Sequence, residues 1–97
     1  MSLEALTARI KDKVGANSGL DATVKFDIGE GVIFVDGKSS PNTVSNEDKD
    51  ADCTITISAE NFEKLIAGDL DPTTAYMFGK IKVSGSMGVA MKLSKVL

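Results

Sequence analysis

Apolar residues in this chain recur every three or four positions at its start, every second position through its middle, and then return twice to helical spacing. That change of period constrains the fold most, because a 3.6-residue repeat describes an amphipathic helix and a two-residue repeat describes a strand buried on one face. Leu3, Leu6, Ile10 and Val14 form one stripe, with Glu4, Arg9, Lys11, Asp12 and Lys13 between them and Gly15 to close the helix. From Ala22 onward Val24, Phe26 and Ile28 alternate with Thr23, Lys25 and Asp27. Gly29-Glu30-Gly31 reads as a tight turn into Val32-Ile33-Phe34-Val35, a strand apolar at every position and so covered on both faces.

Asp36-Gly37-Lys38 predicts another turn, Asn42 to Ser45 a short edge strand restricted by Pro41, and Asn46 to Asp50 a charged loop. Cys53, Ile55 and Ile57 then alternate with Asp52, Thr54 and Thr56. Ser58 is placed to cap a helix carrying Phe62, Leu65 and Ile66 that Gly68 ends. Asp71-Pro72 caps and starts a short helix running to Phe78 and ending at Gly79. Ile81 and Val83 alternate with Lys80, Lys82 and Ser84 in a last strand, and Gly85-Ser86 leads into a final helix from Met87 to Leu97. Helix, three or four strands, two helices, strand, helix: this order predicts one α+β domain over residues 1–97, a twisted sheet with helices over one face. The hairpins favour antiparallel pairing, and the helical crossover between the strands at Cys53 and Lys80 allows one parallel pair.

Composition narrows the function. No apolar run approaches the roughly 20 residues of a membrane span, and the opening residues lack the basic and apolar stretches of a secretory signal. Cys53 is the only cysteine, which fits a reducing, cytoplasmic setting. Histidine and tryptophan are absent, which removes Ser-His-Asp and Cys-His catalysis and histidine-based zinc sites. All fourteen acids lie within residues 1–71, whereas from Pro72 onward the only charged side chains are Lys80, Lys82, Lys92 and Lys95. Such a basic end suits transient contact with an anionic membrane surface, at about 1 kcal/mol per lysine, or simply solvates one end of the domain. Nucleic-acid binding is disfavoured by a net charge of −3, a single arginine and few aromatics.

Several local patterns carry no chemistry. Asp48, Asp50 and Asp52 open like a calcium loop, but Cys53 stands where glycine is needed and Ala59 where a bidentate Glu belongs, so these acids read as a solvated turn and no metal is expected. Gly29-Glu30-Gly31 lacks the third glycine and the helix of a dinucleotide fingerprint, with Phe34 in that glycine's place. Cys53 shares a face with Ile55 and Ile57 and reads as a small buried hydrophobe. Tyr76 either places its hydroxyl at a pocket mouth or straddles core and solvent. The last segment, with Met87, Val89, Ala90, Met91, Leu93, Val96 and Leu97, is apolar nearly all round. It sinks between layers, covers a cavity or awaits a partner, and its methionines suit either a gap-filled core or an adaptable pocket wall.

Two long stretches resemble the sterol carrier protein type two family. One is Ala51-Asp52-Cys53-Thr54-Ile55-Thr56-Ile57-Ser58 with Asn61-Phe62 and Leu65 to Gly68; the other is Leu70-Asp71-Pro72 with Ala75 through Leu93. The resemblance implies a five-stranded, mostly antiparallel sheet with helices on one face enclosing an apolar tunnel. It also implies non-catalytic binding of sterols, fatty acids, fatty acyl-CoA or phospholipids, without a cofactor, for transfer between membranes or presentation to an enzyme. Combined with alternation and helix spacing, it places Phe62, Leu65, Ile66, Tyr76, Phe78, Ile81, Met87, Met91 and Leu93 in the tunnel wall, with Phe26, Phe34 and Ile55 rising from the sheet. Three departures are notable: the sequence stops just after Met91-Lys92-Leu93 and ends Lys95-Val96-Leu97 instead of Ser-Lys-Leu, the first hairpin is short, and Ser86 stands where Asn or Asp is common. They lead to the expectation of a compact stand-alone member and weaken that of sterol as the ligand. The competing reading is an interaction or dimerisation module accessory to a lipid-pathway enzyme, using the apolar last helix. A hydrolase or transferase lacks any spaced set of candidate groups.

Overall fold

The computed structural model describes residues 2–15, 20–39 and 41–96, with the side chains of 94–96 left aside. Four helices and five strands follow in the order α1 (Leu3–Val14), β1 (Thr23–Asp27), β2 (Val32–Asp36), β3 (Thr43–Ser45), β4 (Cys53–Ile57), α2 (Ala59–Ala67), α3 (Pro72–Met77), β5 (Ile81–Gly85) and α4 (Met87–Val96). Leu97, expected as the last residue of the final helix, lies outside the described residues.

Local chemistry sets the element ends. The Ser2 hydroxyl accepts from the Ala5 amide at 3.1 Å, and the Gly15 amide donates to the Lys11 carbonyl at 2.9 Å, which closes α1 at both ends. The Ser58 hydroxyl caps α2 by accepting from the Asn61 amide at 3.2 Å, and Gly68 leaves the helix in a left-handed conformation with φ 84°. Asp71 departs from expectation. Its carboxylate makes no bond to a helix amide and instead accepts from the Thr74 hydroxyl at 3.0 Å, and α3 ends at Met77, one residue early.

The sheet order is β3-β2-β1-β4-β5, mostly antiparallel as expected. The single parallel pair, however, joins β1 to β4 (Val24 beside Cys53, Phe26 beside Ile55), not the strands at Cys53 and Lys80. β4 and β5 are antiparallel with Ile57 opposite Ile81, so residues 58–80 leave the sheet and return to the same end. Two short helices make that return; a single helix would have carried the chain to the opposite end and made the pair parallel.

Register sorts side chains between faces. Val24, Phe26, Ile33, Val35, Cys53, Ile55 and Ile57 share one face and one buried cluster with Leu6, Ile10 and Val14 of α1, Phe62, Leu65 and Ile66 of α2, and Leu93 of α4. Lys25, Phe34 and Thr54 point the other way. Because β3 and β4 lie on opposite sides of the β1–β2 pair, residues 46–52 must run back along that second face. Asn46 Nδ2 donates to the Val32 carbonyl (3.0 Å) at one end of the sheet, the Asp52 amide donates to the Thr23 hydroxyl (2.9 Å) at the other, and Lys25 Nζ meets Asp48 Oδ1 (2.9 Å) between them. Lys49 Nζ lies 5.8 Å from the centre of the Phe34 ring. This crossing explains why β2 is apolar at every central position. The acids of this loop are exposed, as expected of a solvated turn, and two of them, Asp48 and Asp52, also tie the crossing to β1.

Candidate functional site

The helix-facing side of β1, β4 and β5 is a continuous apolar strip, with Phe26 beside Ile55 and Ile55 opposite Val83. α1 lies against β3 and α2, and Phe62 of α2 packs on Phe26 of β1, whereas α3 approaches β5, and α4 approaches β4 and β5. α3 buries only Ala75, because Pro72-Thr73-Thr74-Ala75-Tyr76-Met77 carries no apolar stripe that would seat it deeply. Between this shallow layer and the strip lies a cavity of about 290 Å³, lined by Phe26, Ile55, Leu65, Pro72, Thr73, Tyr76, Ile81, Val83, Met87, Ala90, Met91 and Leu93.

Eight of the expected residues meet there: Phe26, Ile55, Leu65, Tyr76, Ile81, Met87, Met91 and Leu93. Four do not. Phe34 stands on the far face under Lys49, since it is opposite Lys25 and one pleat out of phase with Phe26. Phe62 and Ile66 are fully buried in the core, where the Phe62 ring supports that of Phe26 at 5.0 Å between centroids. Phe78 follows the end of α3 and is exposed. Pro72, Thr73, Val83 and Ala90 line the cavity without having been anticipated. Val83 shares the alternation of Ile81, and Ala90 lies one turn from Met87, so both positions carried a readable signal. Pro72 and Thr73 had none beyond their role in starting a helix.

Among the described residues the wall holds no charged side chain, and its only side-chain polar oxygens are the hydroxyls of Thr73 and Tyr76. Tyr76, Met87 and Met91 are 48%, 46% and 67% exposed, so they form a rim through which the cavity meets solvent. A guest would be held by burial of apolar surface, with two hydroxyls at hand for one polar group. Cys53 is buried beside this strip but outside the wall, and burial pushes its thiol pKa above the ordinary 9.0, away from the reactive thiolate. A second cavity of about 420 Å³, between the end of α1 and β3, is lined by Lys11, Asn42 and Thr43 with Gly15, Pro41 and Val44 and has no continuous apolar wall. Among the described residues no group of three or more acids or cysteines is placed to hold a metal ion, and no helix is long and apolar enough to cross a membrane.

Residues 3–97 match the model of the SCP-2 sterol transfer family. The chain is 44% identical over 68 residues to sterol carrier protein 2 of Gallus gallus, an alignment covering 69% of this chain and 12% of that protein; it spans about an eighth of that relative's length. Among solved structures it resembles the sterol carrier protein domain 2 of Helicoverpa armigera, with a TM-score of 0.71 and 28% identity, covering 96% of this chain and 82% of that one. It also resembles palmitated SCP2L2 of Aedes aegypti, with a TM-score of 0.70 and 28% identity, covering 99% and 94% of the two chains. With its whole described fold and nearly all of its sequence matched, the chain belongs to the SCP-2 sterol transfer family.

Proposed function

We propose that this chain is a non-catalytic lipid binder that shelters one slim apolar chain in the cavity between β1-β4-β5 and the α3-α4 layer, for transfer or for presentation to a lipid-pathway enzyme. The observation that carries this reading is a cavity of about 290 Å³ whose described wall is apolar and uncharged and whose rim is open to solvent. Its volume sits at the lower edge of the ~300–1,000 Å³ of small-molecule pockets. That size favours a flexible acyl or isoprenoid-like chain, free or as part of a fatty acyl-CoA or phospholipid, over a rigid sterol. The similarity to a palmitated relative supports the same ligand class. Thr73 and Tyr76 would meet the polar end of the guest, and Met87 and Met91 would adapt to its shape. A cytoplasmic setting fits the single buried thiol of Cys53.

Delipidated protein titrated with fluorescent fatty-acid and sterol probes tests this. Saturable fatty-acid binding is expected, with weaker sterol binding, and no saturation by either probe would overturn the reading. Met91→Glu places a charge on the cavity wall at a largely exposed position. It is expected to weaken probe affinity roughly tenfold or more while leaving the melting temperature nearly unchanged, because charge beside apolar surface is costly and exposed sites tolerate substitution. An accessory dimerisation module is the second reading, favoured by the exposed apolar residues of α3 and α4. Light scattering after size exclusion separates the two, a concentration-independent monomer speaking against self-association.

A further inference from the structure

Among the described residues, every large apolar side chain that is exposed falls between Tyr76 and Met91. Three of them (Tyr76, Met87 and Met91) line the cavity, and their exposure follows from that. Met77 and Phe78 do not. They are 77% and 76% exposed at the turn out of α3, support neither core nor cavity, and remain unexplained by ligand binding.

Charge follows the same boundary. Lys80 and Lys92 are exposed beside this patch: the Lys80 amide donates to the Ala75 carbonyl of α3 at 2.8 Å, and Lys92 follows Met91 of the rim, whereas Lys82, opposite Thr56, lies on the other face of the sheet. The acids all lie before Pro72, so the net charge of −3 is the sum of an acidic body and a basic end. An anionic surface would repel the body and attract this end, which orients the molecule as well as holding it. A second copy of the chain is the poorer occupant, because a two-fold interface through this patch would bring two basic ends together.

We propose that Met77 and Phe78 are an apolar wedge that enters an anionic lipid bilayer, with Lys80 and Lys92 on the headgroups, so that the cavity mouth opens onto the membrane. This rests on the lipid-binding reading and names the surface from which the guest is drawn. Aromatic and apolar side chains flanked by lysines suit the boundary between headgroups and acyl chains. The guest would then pass from bilayer to cavity without crossing bulk water.

The test is flotation of the full chain with phosphatidylcholine vesicles, with and without phosphatidylserine, comparing wild type with Met77→Ser/Phe78→Ser. Wild type is expected to float with the anionic vesicles and to be released by added salt. The double variant is expected to lose at least about tenfold in vesicle affinity while its melting curve and its probe affinity in the absence of membranes stay unchanged, since neither residue touches core or cavity. Equal flotation of variant and wild type overturns the wedge. So does a wild-type dimer that the double substitution dissolves, or protein that binds the probe and ignores both kinds of vesicle. Vesicle binding that the variant loses, in a protein that takes up no probe, supports the wedge and removes the cavity reading instead.

Discussion

Phe26 and Phe34 sit on adjacent strands of one hairpin and differ by a single step of pleat, yet one lines the cavity and the other lies beneath Lys49 on the far face. Nothing in the composition of β2 distinguishes them, because an all-apolar strand has no polar residues to mark its outer face. Asp52 shows the converse, an exposed residue with a structural task. Its carboxylate accepts from the Thr23 amide at 3.1 Å and meets Lys38 Nζ at 3.2 Å, and these contacts, the amide first, hold its pKa below the ordinary 3.8. Asp36 is lowered likewise, by the Ser39 hydroxyl and then by the amides of Lys38 and Ser39. A carboxyl depressed in the folded state contributes stability above its unfolded pKa and loses it as pH falls through the folded value. Stability is therefore expected to drop below about pH 4, and Asp36→Asn/Asp52→Asn should lower stability near neutrality and flatten that acid-side decline. Urea titrations across the acid range measure both.

At the scale of elements, α1 and α2 were legible because stripes and end signals agree: Gly15 and Gly68 end them, Ser58 starts the second, and each buries one face, whereas the Ser2 cap of α1 emerges only in the structure. α3 and α4 were legible as helices but not in their depth. α4 was apolar nearly all round and open to three interpretations; among its described side chains only Leu93 is buried, Val89 and Ala90 are partly covered, and Met87 and Met91 look outward at the rim. The hinge between the last strand and this helix is Gly85, with φ 97° and a missing side chain that would collide with the Asp52 carbonyl. That carbonyl also accepts the Ser86 amide at 2.9 Å, so it is held in place. Gly85→Ala is expected to cost about 1–3 kcal/mol, from backbone strain and a clash that only movement of the strand can relieve. Thermal or denaturant unfolding reads the loss, and an unchanged midpoint would show the hinge to be freer than its geometry.

The molecule as a whole divides into a packed half and an open half. Beneath α1 and α2 the core is filled by Leu6, Ile10, Phe26, Ile33 and Phe62, all fully buried, apart from the more polar hollow between the end of α1 and β3, whereas α3 and α4 leave the apolar cavity over β5. A ligand that binds only the folded state raises stability in proportion to the logarithm of its concentration over Kd, about 2.7 kcal/mol at a hundredfold excess. Saturating fatty acid is therefore expected to raise the melting temperature by several degrees, and the Met91→Glu variant should show little of that gain. The sequence by itself determined the elements, the face buried by the alternating strands β1, β4 and β5, the absence of histidine chemistry and the family, because these depend on residues near one another in the chain. Only the tertiary structure decided that β1 pairs in parallel with β4, that the loop 46–52 covers Phe34, and that α3 and α4 sit high enough to leave a hollow. Those features depend on where distant segments come to rest, and a local apolar pattern specifies which side of an element is buried without specifying how closely its neighbour packs against it.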